Sequence, residues 1–417
     1  MIRKKAIKKK EKLNNQRDSE KSLLKKKNKK THAKKYTVSE FFDDFRKLIK
    51  KYDMSILFIV VILSLFGIAM VYSAGFYQTI NTSDPDPLYY LKKQTFHVLT
   101  GLVLMLVFAN VDYRIYSKYA SKILILSVVL LVAVLLIGIN IKGATRWLGI
   151  GPIRITPSEI SKLAVIIFTA VYISKDPECI KKPKDIGILS GVAALHFILI
   201  AKQPNLSTAI VIVMIIFSMM FVAGLAYKFF ALLIGFGAVG YVYILTVKKP
   251  YHWYIRLTSF MNPFADSQGD GYQVTQGLIA LGNGGIRGLG FGKSLAKSLY
   301  LPEPQNDFIL AIIGEELGYI GITILMIGYL ILIYRLILVT LKARDLTGFY
   351  LGTGITAMLG LQIIINVAVV TSSMPATGIT LPFISAGGMS IWVFMVAIGI
   401  MLNISRKQRQ RERKVQG

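Results

Sequence analysis

Ten stretches of this 417-residue chain are apolar for long enough to cross a lipid bilayer, and nothing else in the sequence limits the fold as much. A hydrocarbon core about 30 Å thick takes roughly 20 helical residues. Backbone within it finds no water to bond, so each stretch must satisfy itself as a helix. The runs fall near residues 54–74, 94–111, 122–140, 157–174, 186–201, 205–222, 227–247, 308–334, 349–371 and 386–403. With 53% hydrophobic residues, the chain is expected to be an all-α polytopic membrane protein of about ten helices. The fifth and sixth runs are short and separated only by KQPN, so nine spans with a re-entrant hairpin is the alternative.

Lysine and arginine placement orients the spans. Residues 1–52 hold 20 Lys and Arg against 6 Asp and Glu, and the tail 405–417 is also basic, which puts both termini in the cytoplasm and requires an even span count. The basic loops at 114–122, 175–184 and 335–344 fall on the same side. By parity the longest loop, 248–307, lies outside the cytoplasmic membrane. The expected organisation is a basic N-terminal tail at 1–52, with an interfacial amphipathic helix at 36–52 behind a disordered start, then a membrane domain at 53–404 and a basic tail at 405–417. The first apolar run begins near Met54, so no cleavable signal peptide is expected.

A net charge of +28 raises nucleic acid as a partner, but fourteen of those charges lie net in the first 52 residues. Beside an anionic leaflet each such cation gains roughly 1 kcal/mol, so attraction to the lipid surface accounts for them and no nucleic acid is expected. One cysteine, Cys179, excludes an intramolecular disulfide, and with four scattered His there is no zinc-type cluster.

Ionisable residues at membrane depth are costly and mark function. Glu159 and Lys162 sit three residues apart on one face of the fourth helix. Thr156, Pro157 and Glu159 also fit a capping box, which would account for Glu159 as helix chemistry alone. Lys162 escapes that explanation, and an ion pair that shapes the site is favoured over a catalytic one. Glu315 and Glu316 lie further along the eighth helix, where two carboxylates cannot both face lipid, and Lys162 is one available partner.

Nine glycines stand between Gly269 and Gly292, followed by LPEPQNDF. The glycines permit tight turns and close backbone approach to a phosphate, or simply a compact loop. No strand precedes them and no Walker spacing is present, so a nucleotide site is disfavoured. Arg256, Arg287, Lys293 and Lys297 supply cations suited to a lipid diphosphate. Asp307 opens the apolar run FILAII, where partial desolvation would raise its pKa towards that of a general base; capping the eighth helix explains it equally well.

Five ordered segments, TRWLGIGPIRITPSEISKLA, QPNLSTA, GYQVTQGLIALGNGGIRGLGFGKS, LPEPQNDFILAIIGEELG and MPATGITLPFISAGGMS, resemble the signatures of the SEDS family (shape, elongation, division and sporulation), which includes FtsW, RodA and SpoVE. The wording GITLPFIS is closer to the FtsW/SpoVE branch.

The resemblance implies a ten-span fold and a peptidoglycan glycosyltransferase that polymerises lipid II on the outer face of the bacterial cytoplasmic membrane. It makes Asp307 the catalytic residue. One inverting displacement needs one base for the acceptor hydroxyl. Arg146, Lys162, Arg256, Lys293 and Lys297, or a divalent cation, would stabilise the departing undecaprenyl diphosphate. Gln203, Gln276, Glu303 and Ser385 join Glu159, Glu315 and Glu316 as substrate-binding or site-shaping residues. The implied partners are a class B penicillin-binding protein and other division or elongation proteins. Asn205, Ser207, Ala386 and Met389 depart from the family's usual residues. A lipid II flippase and a non-catalytic divisome scaffold are the rival readings; a flippase would carry its ionisable groups near the midplane and show repeat symmetry.

Overall fold

The computed structural model describes residues 52–80, 85–141, 144–150, 153–247, 254, 258, 260–266, 271–298 and 300–416, all within one compact unit, Tyr52–Gly417. The expected disordered tail and all but the last residue of the interfacial helix lie outside these residues.

The described chain is helical almost throughout: α1 Met54–Ile80, α2 Tyr89–Asn110, α3 Ile115–Ile137, α4 Pro157–Lys175, α5 Pro183–Ala201, α6 Leu206–Val222, α7 Tyr227–Val247, α8 Tyr272–Gly284, α9 Ile309–Leu341, α10 Leu346–Val370 and α11 Gly388–Gln416. Eight helices among the described residues are long and apolar enough to cross a membrane, and the shorter apolar α6 and the helix α7 occupy the sixth and seventh expected runs. This is a multi-pass helical membrane protein. Large apolar side chains such as Phe58, Leu65, Ile125, Leu136 and Ile324 stand exposed on the outer helices, as a lipid-facing surface requires.

The inner helices explain where polar groups can be held. α4 packs on α3, α6 and α10, while α9 packs on α1, α8 and α10, and α2 lies along α11. Small residues allow the close approaches: a Cβ at Gly67 would sit 2.5 Å from the Phe383 carbonyl oxygen, and one at Gly354 would sit 2.7 Å from Ile166.

One region departs from the all-helical expectation. Residues after α3 form a small antiparallel sheet, β1 Ile139–Ile141, β2 Ala144–Ile150 and β3 Ile153–Ile155, in the order β1-β2-β3. Gly138 caps α3 in an extended conformation (φ −69°, ψ 151°), so the last two residues of the expected third span belong to β1. Isoleucines alternating with polar residues, in short runs separated by Lys-Gly and Gly-Pro, favour such strands.

At one end of the bundle the chain closes on itself. The Asp53 N–H donates to Ser405 Oγ at 3.1 Å, Arg335 pairs with Asp53 at 2.6 Å, and Arg114 pairs with Asp345 at 3.0 Å. The start of α1 and the membrane end of α11 therefore share a face, together with basic turns. The opposite end carries the site.

Candidate functional site

Gly318 builds the site. Its φ of 67° is a left-handed conformation that breaks α9 into a short segment, Ile309–Leu317, and a long one. From Leu341 back to Gly318 the long segment rises about 34 Å, and antiparallel α10 rises about 30 Å from Leu346 to Asn366, at ~1.5 Å per residue. Asn366 Nδ2 donates to the Asp307 carbonyl at 2.8 Å and to the Ile379 carbonyl at 2.8 Å. Asp307 is thus held roughly level with Gly318, and the short segment must run sideways across the end of the bundle rather than up from it.

α8 accompanies that segment through two glycine contacts. A Cβ on Gly277 would lie 2.8 Å from the Phe308 ring, and one on Gly284 would lie 1.9 Å from the Gly314 carbonyl oxygen. The Gly-rich loop then wraps the break: Tyr319 and Ile320 donate their N–H groups to the carbonyls of Gly285 and Ile286 at 2.9 and 3.2 Å, and Leu289 and Gly290 donate to those of Glu315 and Glu316, both at 2.9 Å. Gly288 (φ 77°) fits there because a Cβ would strike the Glu316 carbonyl oxygen at 2.2 Å.

Beneath this lies a buried polar knot. Lys297 Nζ pairs with Glu316 Oε1 at 2.7 Å, and Ser73 Oγ on α1 donates to the same oxygen at 2.7 Å. Both ion-pair side chains are at most 2% exposed. Glu315 accepts from the Ser294 hydroxyl, from the Ala296 N–H at 3.1 Å and from Asn283 Nδ2 at 3.4 Å. The partner suggested for these carboxylates, Lys162, is not theirs. The helix break turns them away from lipid into the folded-back loop, which carries its own cation.

Lys162 instead pairs with Glu159 at 2.7 Å and lies 5.9 Å from the centre of the Phe394 ring. Thr156 does cap α4, with Pro157 following, yet makes no side-chain capping bond, so the capping-box account of Glu159 fails and the ion-pair account stands. Asp307 does not cap α9 either: the cap is Phe308, with no side-chain bond. Its carboxylate is half-buried, and a Cβ at Gly378 would be 3.8 Å from Asp307 Oδ2, which sets the acid beside the 371–387 loop.

That loop is fixed by Ser385, expected as a site-shaping residue, and by Gln305, which was not expected. Ala386 N–H donates to the Gln305 carbonyl at 2.8 Å, and Gln305 Nε2 donates to Gln78 and to the Tyr90 hydroxyl at 2.9 and 2.8 Å. Ser385 Oγ accepts from the Leu381 N–H at 2.8 Å. Asn366 was discoverable as one of two amides, with Gln362, in an apolar helix. Gln305 and Ser73 carry no such signal.

The other expected residues are dispersed. Glu303 sits at φ 46° and accepts from Asn306 Nδ2 at 2.7 Å. Gln203 is fully buried and donates to the Leu131 carbonyl at 3.0 Å, Arg146 donates to the Pro204 carbonyl, and Gln276 is half-buried on α8. Lys293 is exposed, and Arg256 lies outside the described residues. Asn205 accepts from the Thr208 N–H at 3.4 Å and caps α6, the bond an aspartate would make there. No cluster of three or more His, Cys, Asp or Glu suited to a metal occurs among the described residues.

The fold and site define a polytopic helical membrane protein with the Asp307 carboxylate at the end of the bundle and a buried Lys297–Glu316 ion pair at the other end of the short segment of α9. A model of the FtsW/RodA/SpoVE cell cycle protein family matches residues 53–410, and the chain belongs to that family. The stage V sporulation protein E of Bacillus subtilis strain 168 is 38% identical over 360 residues, covering 86% of this chain and 98% of that protein. A probable peptidoglycan glycosyltransferase FtsW of Trichlorobacter lovleyi is 37% identical over 361 residues, covering 86% and 94%. Among solved structures, a chain from a study of the structural coordination of polymerization and crosslinking by a peptidoglycan synthase complex superposes with a TM-score of 0.70 at 26% identity, covering 86% and 99%. The rod shape determining protein RodA of Thermus thermophilus does so at 0.64 and 26%, covering 86% and 97%.

Proposed function

We propose that this chain is a peptidoglycan glycosyltransferase that polymerises lipid II at the outer face of the cytoplasmic membrane, with Asp307 as the general base. The observation that carries the assignment to this site is the anchoring of Asp307. Its main chain is tied by Asn366 to the 371–387 loop, its carboxylate faces Gly378, and it sits at the end of the bundle, level with the start of the long membrane segment. A base at that height meets a sugar carried on a membrane-anchored diphosphate. In one inverting displacement it accepts the acceptor hydroxyl's proton while the bond from the donor sugar to its diphosphate breaks.

Two of the cations expected at the leaving group are committed elsewhere. Lys162 and Lys297 are buried in ion pairs with Glu159 and Glu316, which leaves the diphosphate to other cations. The relatives named as peptidoglycan glycosyltransferases, and the complex in which polymerization is coordinated with crosslinking, support the reaction class and a class B penicillin-binding protein as partner. The resemblance to stage V sporulation protein E and to FtsW supports a setting in sporulation or division. Purified protein supplied with lipid II, with and without such a partner, should yield glycan strands. Transfer of lipid II between leaflets without any polymer would instead support the flippase reading.

A further inference from the structure

We propose that the Gly-rich loop carries a second lipid site, which binds the phosphodiester headgroup of an anionic bilayer phospholipid through Arg287 and Lys293. This rests on the outward-facing orientation proposed above but not on the transferase activity. The loop is bonded to Tyr319 and Ile320, the first residues of the long membrane segment of α9, so it sits where that segment meets the bilayer surface. Tyr319, Ile320 and Ile324 expose 69%, 48% and 66% of their surface and form a lipid-facing stripe. The loop extends that stripe: Ile286, Leu289, Phe291 and Leu295 are all exposed. Four large apolar side chains on a polar, glycine-rich turn would be costly in water and are stabilised at a membrane interface.

Two cations stand within this apolar rim. Arg287 and Lys293 are exposed, and among the described residues neither makes an ion pair or side-chain hydrogen bond, whereas nearby Lys297 is committed to Glu316. Glu315 and Glu316, whose carbonyls take the loop's own N–H groups, are fully buried with their carboxylates already bonded, so neither neutralises the pair. Cations beside apolar anchors at headgroup depth take phosphate oxygens as partners. The diphosphate of the reacting lipid is the alternative source of those oxygens. The loop lies at the far end of the sideways segment, about 13 Å along the helix from Asp307 at ~1.5 Å per residue, which argues for a separate lipid.

The test uses the full chain with Phe291→Trp in nanodiscs, reading quenching of the introduced indole, by difference from the parent, by brominated phosphatidylglycerol or brominated phosphatidylcholine. Two cations should enrich the anionic lipid roughly tenfold or more, so that a small fraction of it quenches as well as a large excess of the zwitterionic one. Arg287→Gln with Lys293→Gln should abolish the preference while leaving the melting temperature and the quenching by phosphatidylcholine unchanged. Equal quenching by the two lipids, or a preference that survives both substitutions, would overturn the proposal. Displacement of the brominated phosphatidylglycerol by an equimolar amount of undecaprenyl diphosphate would also overturn it, by assigning the loop to the reacting lipid.

Discussion

At the scale of single residues, the site is organised by what neutralises each buried charge. Lys297→Met strands the Glu316 carboxylate in a fully buried place, and loss of one partner of such a pair costs about 3–5 kcal/mol. Thermal unfolding in detergent should show a large fall for Lys297→Met, partly restored by adding Glu316→Gln. An unchanged transition in Lys297→Met would contradict the ion pair. Asn366→Leu should leave the carbonyls of Asp307 and Ile379 without their donor, at about 1–3 kcal/mol each, and should lower turnover by letting Asp307 drift. A variant as active as the parent would remove Asn366 from the positioning of the base. Glu159 and Lys162 were legible in the sequence because a charge in an apolar run is conspicuous, whereas Asp307 was singled out by the family resemblance, its residue type fitting a helix cap equally well. The pairing of Glu316 was not legible, since Lys297 reaches it only through a helix break that one glycine permits.

At the scale of elements, the paired short helices depend on glycines that touch and not on those that do not. Gly284→Ala must push against the Gly314 backbone, whereas Gly282, on the same helix, meets nothing within 4 Å. Gly284→Ala should lower the melting temperature by an amount matching about 1–3 kcal/mol and reduce polymerisation, while Gly282→Ala should be neutral or slightly stabilising. Equal behaviour of the two would contradict the close packing of α8 on the short segment of α9. Spans were readable as long apolar runs, and each expected run is occupied by a helix. The sideways turn at Gly318 was not readable, because on either side of it Ile309–Leu341 is one long apolar run, interrupted by charge only at Glu315, Glu316 and Arg335, and no proline marks the break. The small sheet after α3 was missed because its strands are only 3–7 residues long and border a membrane run.

At the scale of the whole molecule, the ends of the membrane domain meet: Asp53 touches Ser405, and basic turns gather on that face. The proposed orientation puts this face in the cytoplasm and the site outside. In intact cells a membrane-impermeant thiol reagent should label Tyr300→Cys, in the loop before Asp307, and spare Lys181→Cys, in the turn between α4 and α5. The reverse pattern would invert the topology and end the case for an outward-facing polymerase. The role of Asp307 is tested by lipid II polymerisation by wild type and Asp307→Asn at equal folded yield. The isosteric amide keeps the shape and cannot take a proton. A loss on the order of 10²–10⁴ in rate, with lipid II binding and melting temperature retained, is the predicted result. Polymer formed by Asp307→Asn at the wild-type rate would remove Asp307 from the role of base.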